Sequence, residues 1–180
     1  MKRLAGLIAL FVFAAAPFPS GAFPDGAPWG SADPSGAQNC ASCHFDSEAV
    51  LSSDALFFLG SVPEKILAGE AYSFGVASLA DINSVVGFLL AATCEGEPCG
   101  VFLPGESGQE VNGSQIRSTE LQTPFSKGGA SGIASWIVQW RAPIDLTSPV
   151  DFHFAVNIAN DDQSPLGDQI HYRSHTIPME

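Results

Sequence analysis

The sequence predicts an all-β domain of the sandwich type, and three observations support this prediction. Glycine and proline number 18 and 13 in a chain of 180 residues, which is too frequent for long helices. Hydrophobic residues make up 46% of the chain, enough for one sizeable core. Short segments of alternating apolar and polar residues are separated by Gly, Pro, Asn and Asp clusters, a spacing that is typical of a β-sandwich.

The first 22 residues have the features of an export signal. Lys2 and Arg3 precede an apolar run over residues 4–16, and small residues follow as far as Ala22, after which we expect cleavage. The run is shorter than the ~20 residues of a membrane-spanning helix, although an uncleaved anchor is the alternative. No second run of spanning length follows. We therefore expect a periplasmic or secreted mature chain without an integral membrane segment.

The acidic balance of the chain limits its partners. The formal net charge is −12, and binding to nucleic acid or to anionic lipid depends on clustered basic residues. The sequence therefore predicts no nucleic-acid partner. The negative charge suits a basic partner or a salty extracytoplasmic setting. A simple contribution to solubility explains the charge equally well.

Residues 23–59 form a segment in which turn-forming residues predict an irregular arm, followed by a short helical turn and a first strand. The arm contains the C-x-x-C-H signature at Cys40, Cys43 and His44. Two thiols at this spacing can each add to one vinyl group of a haem, and the adjacent imidazole then becomes the proximal iron ligand. In an exported chain the motif predicts one covalent c-type haem on the arm.

Two other interpretations of this cysteine pair remain open at the level of sequence. Cys40 and Cys43 can form a disulfide, in which case His44 has no special role. The pair can also supply half of a zinc site, if Cys94 and Cys99 supply the other two ligands.

Cys94 and Cys99 favour a structural disulfide. The residues between them include Gly96 and Pro98, which form turns, and apolar runs flank the segment on both sides. The two thiols are therefore predicted to face each other across a tight hairpin, where a bond contributes about 2 to 3 kcal/mol.

The strands of the sandwich are predicted over residues 60–180. Tyr72, Phe74 and Val76 alternate with small residues, and residues 85–92 form the continuous apolar run of a buried strand. Alternation is clearest in two later strands, and one more strand follows, for a total of about seven or eight. The apolar positions of these three strands are Trp136, Val138 and Trp140, then Phe152, Phe154, Val156 and Ile158, then Ile170, Tyr172 and Ile177.

Further side chains are candidates for binding a metal. A sixth haem ligand is expected from His175 or His171, which lie four residues apart on the last predicted strand and so point to the same side. His153 lies on the polar face of its own strand. An amide-rich acidic loop offers oxygen ligands for calcium, although its spacing differs from the regular calcium loop and a plain turn explains the same residues. That loop comprises Asn157, Asn160, Asp161, Asp162 and Asp168.

Six short segments together carry a resemblance to a known group of proteins. They are residues 26–30 (GAPWG), 39–44 (NCASCH), 67–72 (LAGEAY), 86–90 (VGFLL), 159–161 (AND) and 167–170 (GDQI). With these segments the chain resembles the bacterial reelin-like secreted domains, also called choice-of-anchor V proteins. The resemblance implies an immunoglobulin-like sandwich, preceded by a C-x-x-C-H segment, in a protein exported to the cell envelope or beyond.

Two functions follow as hypotheses. The first is an exported single-haem cytochrome, which transfers electrons to an unidentified redox partner and uses the sandwich as scaffold or docking surface. The second is a non-catalytic interaction module in which Cys40 and Cys43 form a disulfide. Neither hypothesis assigns a catalytic residue, since the sequence contains no nucleophile elbow and no phosphate-binding loop.

Overall fold

The structure is a computed structural model that describes residues 26–36, 39–44, 46, 48–60, 62–105, 107–162 and 164–180. The predicted signal peptide with its cleavage site after Ala22 lies outside the described residues, as do the first residues of the predicted arm. Within the described part, no helix has the length and apolar character needed to cross a membrane.

The described residues form ten strands and one turn of 3-10 helix at Cys40–Ser42. The strands are β1 (Leu56–Leu59), β2 (Ala71–Asp81), β3 (Val85–Cys94), β4 (Glu97–Pro98), β5 (Val101–Leu103), β6 (Gln109–Asn112), β7 (Gln115–Ser118), β8 (Ser131–Arg141), β9 (Val150–Ala159) and β10 (Gln169–Ile177).

These strands form two antiparallel sheets that pack face to face. One sheet has the order β1-β2-β8-β5. The other has the order β10-β9-β3-β7-β6, and the short strand β4 pairs with the end of β3. The prediction of an all-β sandwich is therefore confirmed.

The core between the sheets contains the residues that the alternation predicted. Trp136, Val138 and Trp140 on β8 face Phe152 and Phe154 on β9, and all five side chains are buried. The Trp140 and Phe152 rings meet edge to face, with centroids 5.1 Å apart. Each such side chain contributes about 1.5–3 kcal/mol through the apolar surface that it removes from water.

Strand β3 is buried on both of its faces, which explains its continuous apolar run. Its even-numbered residues, such as Phe88 and Leu90, belong to the core between the sheets. Leu89 and Ala91 belong to a second cluster on the outer face of the same sheet, together with Ile170 and Tyr172 of β10. The N-terminal arm covers this outer cluster.

The hairpin that joins β3 to β4 contains the predicted disulfide between Cys94 and Cys99, whose Cα atoms lie 5.3 Å apart. Glu95 and Gly96 form its two-residue turn, and both have positive φ angles of 52° and 84°. Such angles are typical of the tight hairpin turns that match the twist of the strands. The predicted structural disulfide is confirmed.

The strand count differs from the sequence prediction. The described part contains ten strands, whereas about seven or eight were predicted. The sequence pattern did not reveal β4, β5, β6 and β7, because these strands have only two to four residues each, too few to show a periodic pattern. Strand β1 lies before residue 60, in the segment assigned to the arm, and pairs with β2 from Leu56↔Ser78 to Leu59↔Gly75. This is the first strand that the sequence predicts at the end of residues 23–59, and it joins the smaller sheet.

Candidate functional site

The first part of the arm is held on the outer face of the larger sheet by Arg117 of β7. One Nη atom of Arg117 donates a hydrogen bond to the carbonyl oxygen of Ala27 at 2.6 Å. The guanidinium carbon lies 4.4 Å from the centroid of the Trp29 ring, a cation–π arrangement. The amide of Gly30 donates to Oε1 of Gln115, at 2.7 Å. Trp29 thus packs against the sandwich.

Cys40 lies where the arm enters the outer apolar cluster. Its Sγ atom contacts the carbonyl oxygen of Ser31 at 3.4 Å, and Ala32 beside it is fully buried. The hydroxyl of Tyr172 accepts a hydrogen bond from the amide of Ala41 at 3.4 Å. Burial raises the pKa of the Cys40 thiol and is also the main cause of the raised pKa of Tyr172.

The C-x-x-C-H motif is folded as one helical turn with its own cap. Asn39 precedes the turn, and its Oδ1 accepts from the amide of Ser42 at 3.1 Å. Oγ of Ser42 in turn accepts from the amide of Asn39, which completes a reciprocal capping box. The amide of His44 donates to the carbonyl of Cys40 at 3.2 Å. Both thiols and the imidazole are thereby held on one short segment.

Cys40 and Cys43 are free thiols in the structure. The sulfur of Cys40 faces the sheet and the Ser31 carbonyl, whereas Cys43 is exposed at the end of the turn. The disulfide that the interaction-module hypothesis assigned to this pair is therefore not present. The four-cysteine zinc site is not formed either, because Cys94 and Cys99 are bonded to each other.

His44 contacts a buried carboxylate of the sandwich. Its Nδ1 atom lies 2.8 Å from Oδ2 of Asp168, and only 2% of Asp168 is exposed. Nδ1 of His44 has no hydrogen-bond partner among the described residues, so its contact with Asp168 is electrostatic. Asn157 donates to the same Oδ2 atom through its Nδ2, at 3.0 Å. This arrangement leaves Nε2 of His44 as the ring nitrogen available to a ligand.

The motif keeps the groups that would hold a c-type haem, although the Cys40 thiol is turned toward the sheet. Both thiols are unbonded, the imidazole follows them on the same turn, and a carboxylate lies at the ring nitrogen that would not bind iron. Histidines that bind metals usually have a carboxylate or carbonyl at their second ring nitrogen. Among the residues that the structure describes, no group of three or more His, Cys, Asp and Glu side chains is arranged to hold a metal ion on its own.

His171 and His175 lie on the face of β10 that points away from the arm. Strand residues alternate between faces, and Ile170 and Tyr172 are the ones that meet the arm. Nδ1 of His171 lies 2.7 Å from Oγ of Ser53, and the His175 ring lies 5.2 Å from that of Phe58. The structure therefore does not bring either predicted distal ligand to His44.

His153 is the histidine that shares the outer face with the arm. Its Nδ1 lies 3.0 Å from Oγ of Ser174, and its Nε2 lies 3.0 Å from Oγ1 of Thr93. Both ring nitrogens are thus engaged by hydroxyl groups.

The amide-rich acidic loop uses its oxygens to form turns. Oδ1 of Asn160 accepts from the amide of Asp162 at 3.1 Å, and Oδ1 of Asp162 accepts from the amide of Ser164 at 2.8 Å. Asp161 has a positive φ of 61°, which Asn and Asp tolerate best after glycine. Asn157 and Asp168, the other two members of the predicted calcium set, are paired with each other below His44.

Asp168 and Arg117 are the two site residues that sequence reasoning missed in these roles. Asp168 was grouped with the acidic loop, since the sequence contains no periodic signal that places it beneath His44. The sequence offered one signal for this role: Asp168 is a charged residue directly before a predicted strand, in the GDQI segment. Arg117 lies on a four-residue strand that no pattern revealed.

The outer face of the smaller sheet carries large apolar side chains that no element of the described chain covers. Ile133 of β8 is the Cα partner of Leu79 on β2 and makes an isolated bridge with Phe125, so these three residues form a row. Leu59 and Ile137 form a second row on either side of Gly75. We call these five residues the apolar face; Phe125 is 72% exposed and Ile137 is 52% exposed.

Comparisons with known proteins identify the fold. No protein-family model matches the chain, and no curated protein matches it in sequence. Among solved structures it is similar to the human F-spondin reeler domain (fragment 1), with a TM-score of 0.51 and 13% identity over 75% of this chain and 95% of that one. The Reelin-N domain of F-spondin gives a TM-score of 0.53 at 14% identity, covering 78% of this chain and 96% of that one. The chain is an all-β sandwich with the reeler-domain fold.

Proposed function

We propose that the chain is an exported interaction module that binds a protein partner through the apolar face. The observation that carries this proposal is the exposure of Leu79, Ile133 and Phe125 in one row, which crosses β2, β8 and the segment that bridges β8 at Phe125. An antiparallel sheet with one face in water normally alternates apolar and polar residues, and contiguous exposed apolar patches mark interaction sites.

The character of this surface indicates the chemistry of the partner. The register position between the two rows holds Phe57, Ala77 and Ser135 as Cα partners, so the apolar character of the surface continues between the rows on β1. The chain as a whole is acidic, with a net charge of −12. A partner protein with a flat apolar patch and a basic rim complements both properties.

Export agrees with this role. The disulfide between Cys94 and Cys99 is of the kind that persists in oxidising compartments outside the cytoplasm. The apolar segment over residues 4–16 provides the signal. We place the mature protein in the periplasm or outside the cell.

Binding to the envelope fraction of the producing cell tests the interaction module. The wild-type protein is expected to sediment with that fraction, less so as salt rises, and the I133S/I137S variant is expected to lose at least tenfold of the binding. L51S is the matched control, because Leu51 is 61% exposed and lies outside the apolar face. Equal binding of wild type and I133S/I137S contradicts the proposal.

A photo-crosslinking residue at position 133 then identifies the occupant. Crosslinks to a basic protein support the proposal. Crosslinks to a second copy of the chain, or to a surface polysaccharide, overturn the assignment of a protein partner to this face.

The contact between His44 and Asp168 favours a second function, the attachment of one c-type haem to the arm. Cys40 and Cys43 would form the two thioether bonds, and His44 would bind iron through Nε2. When bound, a haem supplies one-electron transfer to a redox partner. The sandwich contributes by holding the first part of the arm through Arg117 and the turn through Tyr172 and Asp168.

A haem stain after denaturing electrophoresis tests this second function. Protein exported from a cell that matures c-type cytochromes is expected to retain a coloured, peroxidase-active band and the mass of one haem. The C40S/C43S variant should lose both, whereas C94S/C99S should retain them. Colourless wild-type protein, with Cys40 and Cys43 joined to each other, excludes haem attachment and leaves the interaction module.

A further inference from the structure

Asp168 is a buried carboxylate whose partners all belong to one small cluster. Oδ2 lies 2.8 Å from Nδ1 of His44 and accepts a hydrogen bond from Asn157 at 3.0 Å. Oδ1 of Asp168 and Oδ1 of Asn157 are both buried, and neither has a hydrogen-bond partner in the described part of the chain. A buried charge with so few partners is costly unless a positive group lies close to it.

His44 is the group placed to supply that positive charge. A neutral imidazole offers Asp168 only the dipole of an N–H bond. An imidazole that binds a metal cation through Nε2 carries part of the cation's charge to its Nδ1–H, which lies against the carboxylate. The buried acid is therefore best compensated when Nε2 of His44 holds a metal.

The fold positions Asp168 independently of the arm. It directly precedes β10, whose next residues pair with β9 from Gln169↔Ile158 onward, and Asn157 on β9 holds its carboxylate from the side. On the arm, His44 is held by the capped turn through its amide. The contact thus joins two segments, each of which has its own supports.

We propose that Asp168 is the positioning residue for His44: it keeps the proton on Nδ1, turns the Nε2 lone pair outward as the iron ligand, and makes the imidazole a stronger donor. This inference rests on the haem attachment proposed above. It adds that the sandwich sets the electronic properties of the haem through Asp168.

The tautomer of His44 in the haem-free protein tests the positioning role without any cofactor. The full chain, recovered from cells that cannot mature c-type cytochromes and kept reduced, is labelled with ¹⁵N-histidine and studied at about pH 8.5, where imidazoles are neutral. Wild type is expected to carry the proton on Nδ1. D168A is expected to shift His44 to the Nε2–H form, whereas the exposed control D162A retains the wild-type signal. An Nε2–H tautomer in wild type, or no change in D168A, overturns the proposal.

The reduction potential of the haem-loaded protein gives the second readout. An anionic partner at Nδ1 stabilises the oxidised iron, so D168N is expected to raise the ratio of reduced to oxidised protein at a fixed potential by on the order of tenfold, which corresponds to about 59 mV for one electron. D162N is the matched control. Unchanged potential in D168N contradicts the role. If no haem is attached at all, the haem proposal fails while the tautomer experiment still decides whether Asp168 orients His44.

Discussion

The guanidinium carbon of Arg117 lies 4.4 Å from the centroid of the Trp29 ring, which fastens the N-terminal arm to the six-stranded sheet. The same side chain donates to the carbonyl of Ala27 and is itself fixed by Glu110, at 2.6 Å from one Nη atom. The arm is therefore a docked part of the domain.

Replacing Arg117 should release the first part of the arm. R117A removes a cation–π contact and a charge-assisted hydrogen bond, together about 2 kcal/mol of docking energy. Limited proteolysis within residues 26–44 is expected to become at least tenfold faster. R141A, at an exposed arginine on the other sheet, should leave the cleavage rate unchanged. An equal rate in R117A and wild type would show that Arg117 does not hold the arm.

Gly100 should tolerate no side chain, both because of its backbone conformation and because of steric overlap. Comparison with Gly96 separates these two contributions. Its φ is +63°, and a Cβ there would overlap the Trp140 ring and the carbonyl of Arg141. Gly96 has a φ of +84°, but a Cβ there would meet no atom within 4 Å. G96A should cost about 1–2 kcal/mol of unfolding free energy from its backbone alone, and G100A should cost a further 1–3 kcal/mol from overpacking. Equal costs in urea denaturation would exclude the steric contribution.

The two thiols of the motif should differ in reactivity. Burial raises the pKa of Cys40 and so lowers its thiolate fraction, whereas Cys43 is exposed. In reduced haem-free protein at pH 8, iodoacetamide is expected to label Cys43 at least tenfold faster than Cys40. Peptide mapping by mass measures both rates, and unfolding in urea should make them similar. Faster labelling of Cys40 in the folded protein would contradict the burial of the Cys40 thiol between the arm and the larger sheet.

The stability of the sandwich should fall in mild acid, in part because of His171. Burial lowers the pKa of this imidazole, which contacts the Ser53 hydroxyl at 2.7 Å. The unfolded chain therefore binds a proton at a higher pH than the folded chain. The resulting stability is complete above about pH 6.5 and is lost as the pH falls through the lowered pKa. H171Q should show a smaller drop in melting temperature from pH 7.5 to 5.0; an identical drop argues against this assignment.

The fold was predictable where strands are long. The alternation of Trp136, Val138 and Trp140 identifies the buried face of β8, because side chains of a strand point alternately to opposite faces. The short strands β4 to β7 were not predictable, since two to four residues cannot show a period and their pairing depends on distant partners. Ile170 and Ile177 were placed on one strand correctly, but they lie on opposite faces of it.

The candidate site was only half predictable. The spacing of Cys40, Cys43 and His44 is visible in the sequence because the three residues share one turn. The contact of His44 with Asp168 depends on how the arm lies across β9 and β10, a tertiary arrangement that local patterns do not encode. The same reason explains why His171 and His175 were expected near the motif although β10 turns them away from it.

Hydrogen exchange of the arm tests most directly the claim that the C-x-x-C-H turn is held by the sandwich. The amides of Gly30 and Ala41 donate to side chains of the sheet, so their exchange in the wild-type protein should be at least tenfold slower than in an unstructured peptide. The R117A variant should lose protection at Gly30. Exchange of the arm at the rate of a free peptide, while the amides of β3 and β9 stay protected, would contradict the account.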